Sequence, residues 1–323
     1  MTQVEDATRR FEYYQPAEKV EPPPIYRWPI KPSRIARWFV AEFLYPSGLF
    51  FIGLAVFAWH YLTPDISRMA TVEPGWVALL WLRNAGLLLL VAGGLHWRLH
   101  MRRAQGKKYK FDKRWLAKNS RRFLFRDQVK DNMFWSVVSG VTIWTAYEAA
   151  TVWAYASGTV ASTRWSEAPV YLGAMLIATF FWSALHFEIA HRPLHWRPVY
   201  RLCHALHHKN VNTGPWSGIS MHPLEHLLYF TVFLLWWIVP ADPIVITLTG
   251  FFQGLSPAVS HCGFQKVRFG RLWLAAGTHF HTLHHQLFDV NFGHVSTPTD
   301  KLFGTWFDGT DEAYEKLGRR GLM

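Results

Sequence analysis

Long runs of apolar residues dominate the first two thirds of the chain. A helix needs about 20 residues to cross the hydrocarbon core of a bilayer, and four runs reach that length. The pattern therefore predicts an all-α integral membrane protein with about four transmembrane helices. The four runs cover residues 38–62, 76–97, 133–156 and 170–189.

A further apolar stretch, residues 227–260, is interrupted by the sequence Pro-Ala-Asp-Pro at positions 240–243. Each half has only about 13 to 17 residues, which is marginal for a full crossing. We therefore expect this stretch to form a short helical hairpin that enters the membrane.

Positive charge is concentrated in one polar segment between the second and third apolar runs. The chain has a net charge of +12, and residues 98–130 contain 13 Lys and Arg against two acids. Segments rich in Lys and Arg flank membrane spans on the cytoplasmic side, which explains the charge more simply than nucleic-acid binding does. We expect a multi-pass protein with no nucleic-acid partner and with both termini and the histidines described next on the cytoplasmic side.

Histidine is abundant, with 17 residues, and 14 of them lie between positions 186 and 294. On a helix, positions i, i+3 and i+4 share one face, so H-x3-H and H-x2-H-H motifs project their imidazoles to one side. Pro193, inside the first motif, is expected to end the preceding helix near His191. The motifs comprise His191 and His195; His204, His207 and His208; His222 and His226; the separate His261; and His281, His284 and His285.

Grouped imidazoles indicate a metal site, because neutral imidazole suits iron, zinc, copper and nickel. One ion takes about four to six ligands, so this many histidines predicts two ions in a histidine-rich helical cap. The H-E-x-x-H motif of zinc proteases and the repeated Glu-x-x-His motifs of soluble di-iron bundles are absent. Two cysteines, Cys203 and Cys262, do not make a zinc finger or a disulfide scaffold.

These motifs resemble those of the membrane-bound fatty acid hydroxylase and sterol desaturase superfamily. The order H-x3-H, H-x2-H-H, H-x2-H-H is similar, and so is the tail, in which Asn291-Phe292-Gly293 and then residues 300–305 follow the last motif. The resemblance covers about residues 185–305 and the preceding membrane hairpins. Three intervening residues in the first motif favour the sterol desaturase-like branch.

The resemblance implies an oxidoreductase of lipid metabolism with two iron ions, zinc being possible in the purified protein. It implies that O2 and two electrons from a separate redox protein serve to hydroxylate or desaturate a C–H bond of a lipid or sterol-like substrate. The implied metal ligands are His191, His195, His204, His207, His208, His226, His261, His281, His284 and His285. The residues expected to orient these imidazoles are Glu188, His222, Glu225, Asp289 and Asn291.

The expected organisation follows from the same reasoning. Residues 1–35 form a flexible cytosolic arm, residues 36–132 the first transmembrane hairpin with its basic loop, residues 133–310 the catalytic domain and residues 311–323 a tail. A non-catalytic membrane protein that binds metal or lipid on the same scaffold stays open. The sequence also leaves open which lipid is used and whether it is hydroxylated or desaturated.

Overall fold

The computed structural model describes residues 18–319, and it is mostly helical, as predicted, with one short β-hairpin. Residues 1–17 of the predicted arm, and residues 320–323, lie outside the described part. Two long helical segments come first: α1 (Pro32–Tyr61), which is broken at Tyr45-Pro46 where Tyr45 is extended, and α2 (Pro74–Met101). A turn at Ile66–Ala70 joins them.

Two further long helices follow the basic segment. α3 covers residues 128–156 without interruption, and α4 covers Pro169–Leu194. The Asp127 side chain accepts hydrogen bonds from the backbone N–H groups of Val129 and Lys130, so it caps the start of α3. α4 begins at a proline, whose missing N–H costs nothing in a first turn.

The rest of the chain consists of shorter elements around one long helix. α5 covers residues 197–208, and α6 (Pro223–Tyr229) continues into a 3-10 helix at Phe230–Trp237. After α7 (Pro243–Ser260), an antiparallel hairpin pairs β1 (Lys266–Phe269) with β2 (Leu272–Ala275). The last helices are α8 (His279–Leu287), α9 (Thr299–Leu302) and α10 (Asp311–Arg319).

Within residues 18–319, four helices are long and apolar enough to cross a membrane, namely α1, α2, α4 and α7. The predicted number is thus confirmed, but one member differs. α7, expected as half of a short hairpin, is a single helix of 18 residues. α3 forms along the predicted run 133–156 but is not among these four, and it carries the charged Glu148 within that run.

Close packing holds α7 at the centre of the bundle, against α1, α3 and α4. The fully buried Trp144 of α3 lies flat against two glycines of α7. A Cβ atom on Gly250 or Gly254 would come within 2.6 or 2.5 Å of the Trp144 ring, closer than packed atoms approach. The glycines therefore let α7 sit close to α3, which fixes the position of His261 at the end of α7.

Two charged residues from the predicted membrane runs meet inside the bundle. The Arg83 guanidinium of α2 donates to the Glu148 carboxylate of α3, and the two side chains are only 3% and 1% exposed. The Asn84 amide donates to the same carboxylate at 2.9 Å, and Arg83 also donates to the Thr63 hydroxyl at 2.7 Å. Every charge in this pocket is thus paired and hydrogen-bonded, which burial demands.

The basic segment folds onto the end of the bundle that carries the histidine motifs. The Phe111 N–H donates to the Gly263 carbonyl at 3.0 Å, two residues after His261. The arm reaches the same end, since the Tyr26 hydroxyl donates to the Thr297 carbonyl at 2.8 Å. The basic segment, the described part of the arm and the histidines therefore share one face. That this face is cytoplasmic stays a prediction.

Candidate metal centre

The structure brings nine of the ten expected metal ligands together in two neighbouring groups. Within each group, one ring nitrogen from every histidine lies within 4.8 Å of the others. Rings of different groups are close as well, with 4.8 Å between the ring centroids of His208 and His285. The first group contains His191, His195, His204, His208 and His284, and the second contains His207, His261, His281 and His285.

The two H-x2-H-H motifs each contribute to both groups. On α5, His204 and His208 face the first group, whereas His207 faces the second. The three histidines of the motif on α8 divide in the opposite proportion, with His284 in the first group and His281 and His285 in the second. The two groups therefore share their supporting helices, and a shift of either helix changes both.

The helix that carries the first H-x3-H motif does not end near His191, as Pro193 led us to expect. α4 continues through this proline to Leu194, and His195 caps its end instead of beginning the next helix. The last turn tightens there, since the His195 N–H donates to the Arg192 carbonyl at 3.2 Å. His191 and His195 consequently sit one turn apart on the same helix end, with ring centroids 5.0 Å apart.

The ring nitrogens have the spacing of ligands around cations. In the first group, His204 Nε2 lies 3.1 Å from Nε2 of both His191 and His195. In the second group, His261 Nε2 lies 3.2 Å from His285 Nε2 and 3.0 Å from His281 Nε2. Neighbouring nitrogen ligands of one ion, each about 2.0–2.1 Å from it, are about 3 Å apart.

Backbone carbonyls fix which ring nitrogen carries the proton. Nδ1 of His191 lies 2.6 Å from the Phe292 carbonyl oxygen, and Nδ1 of His284 lies 2.6 Å from that of Val290. A carbonyl only accepts, so Nδ1 is the donor and Nε2 keeps its lone pair. His261 Nδ1 is held in the same way by Pro257, at 3.0 Å. Lone pairs that converge at this distance repel each other unless a cation lies between them, so these residues fit a pair of metal ions.

Burial keeps the imidazoles in the form that binds metals. It lowers the pKa of His208, His284 and His285 well below the usual histidine range, and neighbouring histidines lower it further. These rings are therefore neutral at pH 7. The donor set is entirely imidazole, which suits iron, zinc, copper or nickel and excludes the oxygen-seeking ions magnesium and calcium.

His226 is the one expected ligand that the structure does not bring into either group. Its Nε2 lies 3.0 Å from the Ile219 carbonyl oxygen and its Nδ1 lies 2.9 Å from the Ser139 hydroxyl. Both ring nitrogens are thus engaged with α3 and the loop before α6. His222, expected to orient a ligand, caps α6 instead, since its Nδ1 accepts from the Leu224 N–H at 3.2 Å.

Glu225 is the expected orienting residue that contacts a metal-group imidazole directly. Its Oε1 lies 2.8 Å from His204 Nδ1. Burial raises the pKa of Glu225 to about 8, an effect that the neighbouring His207 opposes. A cation bound on the far side of His204 favours the ionised carboxylate, which would strengthen this contact.

The other expected orienting residues act at a distance or not at all. Glu188 accepts from Arg192 at 2.7 Å and does not reach an imidazole. Asn291 ties its loop to the tail, because its amide donates to the Phe307 carbonyl and its oxygen accepts from the Phe307 N–H, both at 2.8 Å. Asp289 lies exposed at the surface.

Asp300 is a positioning residue that sequence reasoning did not single out. It is 2% exposed and accepts hydrogen bonds from the backbone N–H groups of Phe292 and Gly293 at 3.0 and 2.9 Å. Arg192 donates to it as well, at 3.0 Å. Asp300 therefore holds the loop whose Phe292 carbonyl fixes His191. Its place in the tail motif was the only available signal.

The substitution Asp300→Asn is expected to weaken metal binding by about 10- to 100-fold. This is the usual cost of losing a hydrogen-bonding residue that supports a ligand histidine. An amide NH2 replaces one acceptor oxygen, so one of the two loop N–H groups loses its partner. Metal titration of the stripped protein measures this. Asp289→Asn is the control, since that exposed residue lies in the same region. Equal affinity of Asp300→Asn and the native chain would contradict the assignment.

A small cavity, with room for about one water molecule, borders the metal groups between α4 and α6. Its wall includes His191 and His204 of the first group and His207 of the second. Most of the remaining surface is apolar. Glu225 Oε2, which has no hydrogen-bond partner among the described residues, also lines this space. The other lining residues are Phe187, Ala190, Leu194, Met221 and Tyr229.

Comparison with known proteins agrees with this geometry. Residues 171–305 match the family model described as fatty acid hydroxylase. This segment is thus similar to a fatty acid hydroxylase domain, and together with sterol desaturase relatives it supports the predicted resemblance to the fatty acid hydroxylase and sterol desaturase superfamily. The match spans α4 to the tail and so includes all nine grouped histidines.

The curated relatives have different activities. The chain is 25% identical over 248 residues to the Delta(7)-sterol-C5(6)-desaturase of Nicotiana tabacum, covering 73% of this chain and 86% of that protein. It is 29% identical over 170 residues to the very-long-chain aldehyde decarbonylase CER1 of Arabidopsis thaliana, covering 49% of this chain and 27% of that protein. It is 29% identical over 128 residues to the Delta(7)-sterol 5(6)-desaturase ERG3 of Saccharomyces cerevisiae, covering 39% of this chain and 34% of that protein. No solved structure matches.

Proposed function

We propose that this protein is a membrane-embedded di-iron oxidoreductase that hydroxylates or desaturates a lipid with O2 and two electrons. One observation carries the proposal: imidazoles from both histidine groups border one small apolar cavity. A C–H bond brought to this cavity would lie near both groups at once. Sterol desaturases among the relatives support a lipid substrate.

The nine grouped histidines would hold two iron ions, five around the first and four around the second. Bound iron supplies the activation of dioxygen, for which imidazole ligands are suited. Hydroxylation consumes a C–H bond, O2, two electrons and two protons, and yields an alcohol and one water. Desaturation consumes two C–H bonds with the same oxidant and yields an alkene and two waters. The relatives include both a sterol desaturase and an aldehyde decarbonylase, so experiment must decide between hydroxylation and desaturation.

The cavity would have to widen to admit a lipid. Phe187, Leu194 and Met221 would then give an apolar wall against which a hydrocarbon segment packs. α4 exposes Leu185 and Ile189 on its outer face, at 43% and 58%. These apolar side chains would lie in the bilayer, so the substrate need not leave the membrane to reach the metals. A separate redox protein would supply the electrons from the cytoplasmic side.

The proposal predicts a change in the lipids of cells that carry the native chain but not the His284→Ala chain. His284 belongs to the first group, so its loss should stop the reaction. Whole-lipid mass spectrometry measures the change. One added oxygen would indicate hydroxylation and name the lipid, whereas loss of two hydrogens would indicate desaturation.

The control for this experiment is His279→Gln, on the same helix but outside both groups. It should leave the lipid change intact. Lipids that are identical with the native and His284→Ala chains, with both proteins present in the membrane and O2 and reductant supplied, would overturn the proposal. That result would favour a non-catalytic protein that binds metal or lipid on the same scaffold.

A further inference from the structure

A second, separate cleft of about 170 Å³ opens at the histidine end of the bundle. It contains none of the grouped histidines. Its walls carry the cations Arg114, Arg122 and Lys209 beside the aromatic rings of Trp115 and Phe123. A cleft lined by both cations and aromatic rings, with Lys209 over the Phe123 ring at 5.4 Å, fits an anion attached to an apolar body.

The exposed charges around the cleft are positive, and the carboxylates that pair with them are buried. Asp112 pairs with Arg114 at 2.8 Å, and Asp131 pairs with Lys209 at 2.6 Å, yet both carboxylates are buried. Arg122 is exposed, and its guanidinium has no hydrogen-bond or ion-pair partner among residues 18–319. An anion arriving from outside therefore meets cations first.

The turn beside the cleft holds two apolar side chains out into the surroundings. Leu124 and Phe125 are 44% and 64% exposed. Phe125 and Arg126 both have positive φ, at 57° and 55°, which is unusual for residues other than glycine. A hydrogen bond from the Leu124 N–H to Asp131 Oδ1, at 3.0 Å, holds the turn. Strain of this kind persists where surrounding structure enforces it and often marks a functional element.

The exposed turn continues the apolar surface of a long helix. The ring of Phe125 lies 6.1 Å from that of Phe134 on α3, and Phe134 is itself 37% exposed. The sequence around the turn is Arg-Arg-Phe-Leu-Phe-Arg at positions 121–126. Apolar residues flanked by arginines are typical of segments that lie at the boundary between headgroups and acyl chains.

We propose that this cleft binds the phosphate of an anionic phospholipid in the leaflet at the histidine end. Arg122, Arg114 and Lys209 contact the phosphate, while Leu124 and Phe125 enter the acyl region beside it. A soluble phosphate ester would need the cations but not the exposed apolar turn. The combination therefore selects a lipid, and the basic residues around it add attraction to an anionic leaflet.

The site also borders the support of the metal centre. Gln128 lines the cleft and donates to Asn210 Oδ1 at 3.0 Å. The Asn210 amide donates in turn to the His207 carbonyl at 3.1 Å. The lipid site is nevertheless independent of the proposed reaction, so its test requires neither metal nor turnover.

The test is retention of lipid by the full-length protein, measured by native mass spectrometry after purification from mixed phosphatidylglycerol and phosphatidylcholine. The native chain should keep phosphatidylglycerol in preference to phosphatidylcholine. Arg122→Gln should lower that retention about fivefold, the effect expected of one cation near an anionic surface. Arg122→Lys should retain the lipid. Arg68→Gln, which removes an exposed cation from the turn between α1 and α2, should change nothing.

Two further arms separate the lipid from a soluble anion. The double variant Leu124→Ser, Phe125→Ser should lose phosphatidylglycerol although every cation remains. Millimolar inorganic phosphate or glycerol 3-phosphate should not displace the lipid from the native chain. Displacement by either compound would replace the lipid proposal with a soluble-phosphate site. Equal retention by Arg122→Gln and the native chain, or an equal loss in Arg68→Gln, would overturn the site altogether.

Discussion

The substitution His207→Ala is expected to remove one of two bound metal ions and to abolish the lipid product. His207 belongs to the second group, which has only four members, and its ring lies 4.7 Å from that of His285. Loss of an outer partner of a ligand costs about 10- to 100-fold in affinity, so loss of the ligand itself should cost more. We expect about one metal equivalent per chain, and a product yield reduced by more than a hundredfold.

Elemental analysis and product analysis on the same preparation test this prediction. The first group should keep its ion, because all five of its histidines are intact. The matched comparison is His226→Ala, a buried histidine on α6 that the structure leaves outside both groups. That variant should bind two equivalents. Two equivalents in His207→Ala, or one in His226→Ala, would contradict the division of the ligands.

The second large effect concerns the ion pair inside the bundle. Glu148→Leu alone should destabilise the protein by about 3–5 kcal/mol, because it leaves the Arg83 charge buried without its partner. The double variant Arg83→Met, Glu148→Leu should recover most of that loss, since a well-packed apolar pair often replaces a buried ion pair at little cost. The Arg83 guanidinium also lies over the Phe251 ring at 5.1 Å, a contact that methionine partly retains.

Thermal unfolding of the purified protein, followed by loss of the monodisperse species, measures both variants. Glu73→Leu is the control, because Glu73 is exposed just before α2 and near the same end of the bundle. It should change stability little. A double variant as unstable as Glu148→Leu would mean that the surrounding hydrogen bonds of Asn84 and Thr63, and not the charge balance, dominate.

Hydrophobicity and helical spacing predicted what depends on local sequence. The apolar runs gave the long helices, and the three-and-four spacing of the histidines indicated which helices carry ligands. The sequence also led us to expect that the ligands are split between two ions, because their number exceeds what one ion holds. It did not indicate that His207 joins a different group from its neighbours His204 and His208, since that depends on where α8 packs.

Features that depend on distant contacts could not be predicted in this way. His226 has the same spacing from His222 as His195 has from His191, yet Ser139 and Ile219 occupy its nitrogens. Backbone carbonyls such as those of Phe292 and Val290 hold ligand rings, and a carbonyl is present at every position of any sequence. Asp289 and Asp300 also look alike in sequence, and only the fold buries the second.

The order of the ligands along the chain constrains how the protein matures. The first group needs His284 and the second needs His281 and His285, so neither is complete until α8 has been synthesised. By then all four membrane-length helices have been synthesised, the last of them ending at Ser260. Neither histidine group can therefore be complete before the whole bundle has been made. Two bound ions would each join segments about 80 to 100 residues apart and so stabilise the folded bundle.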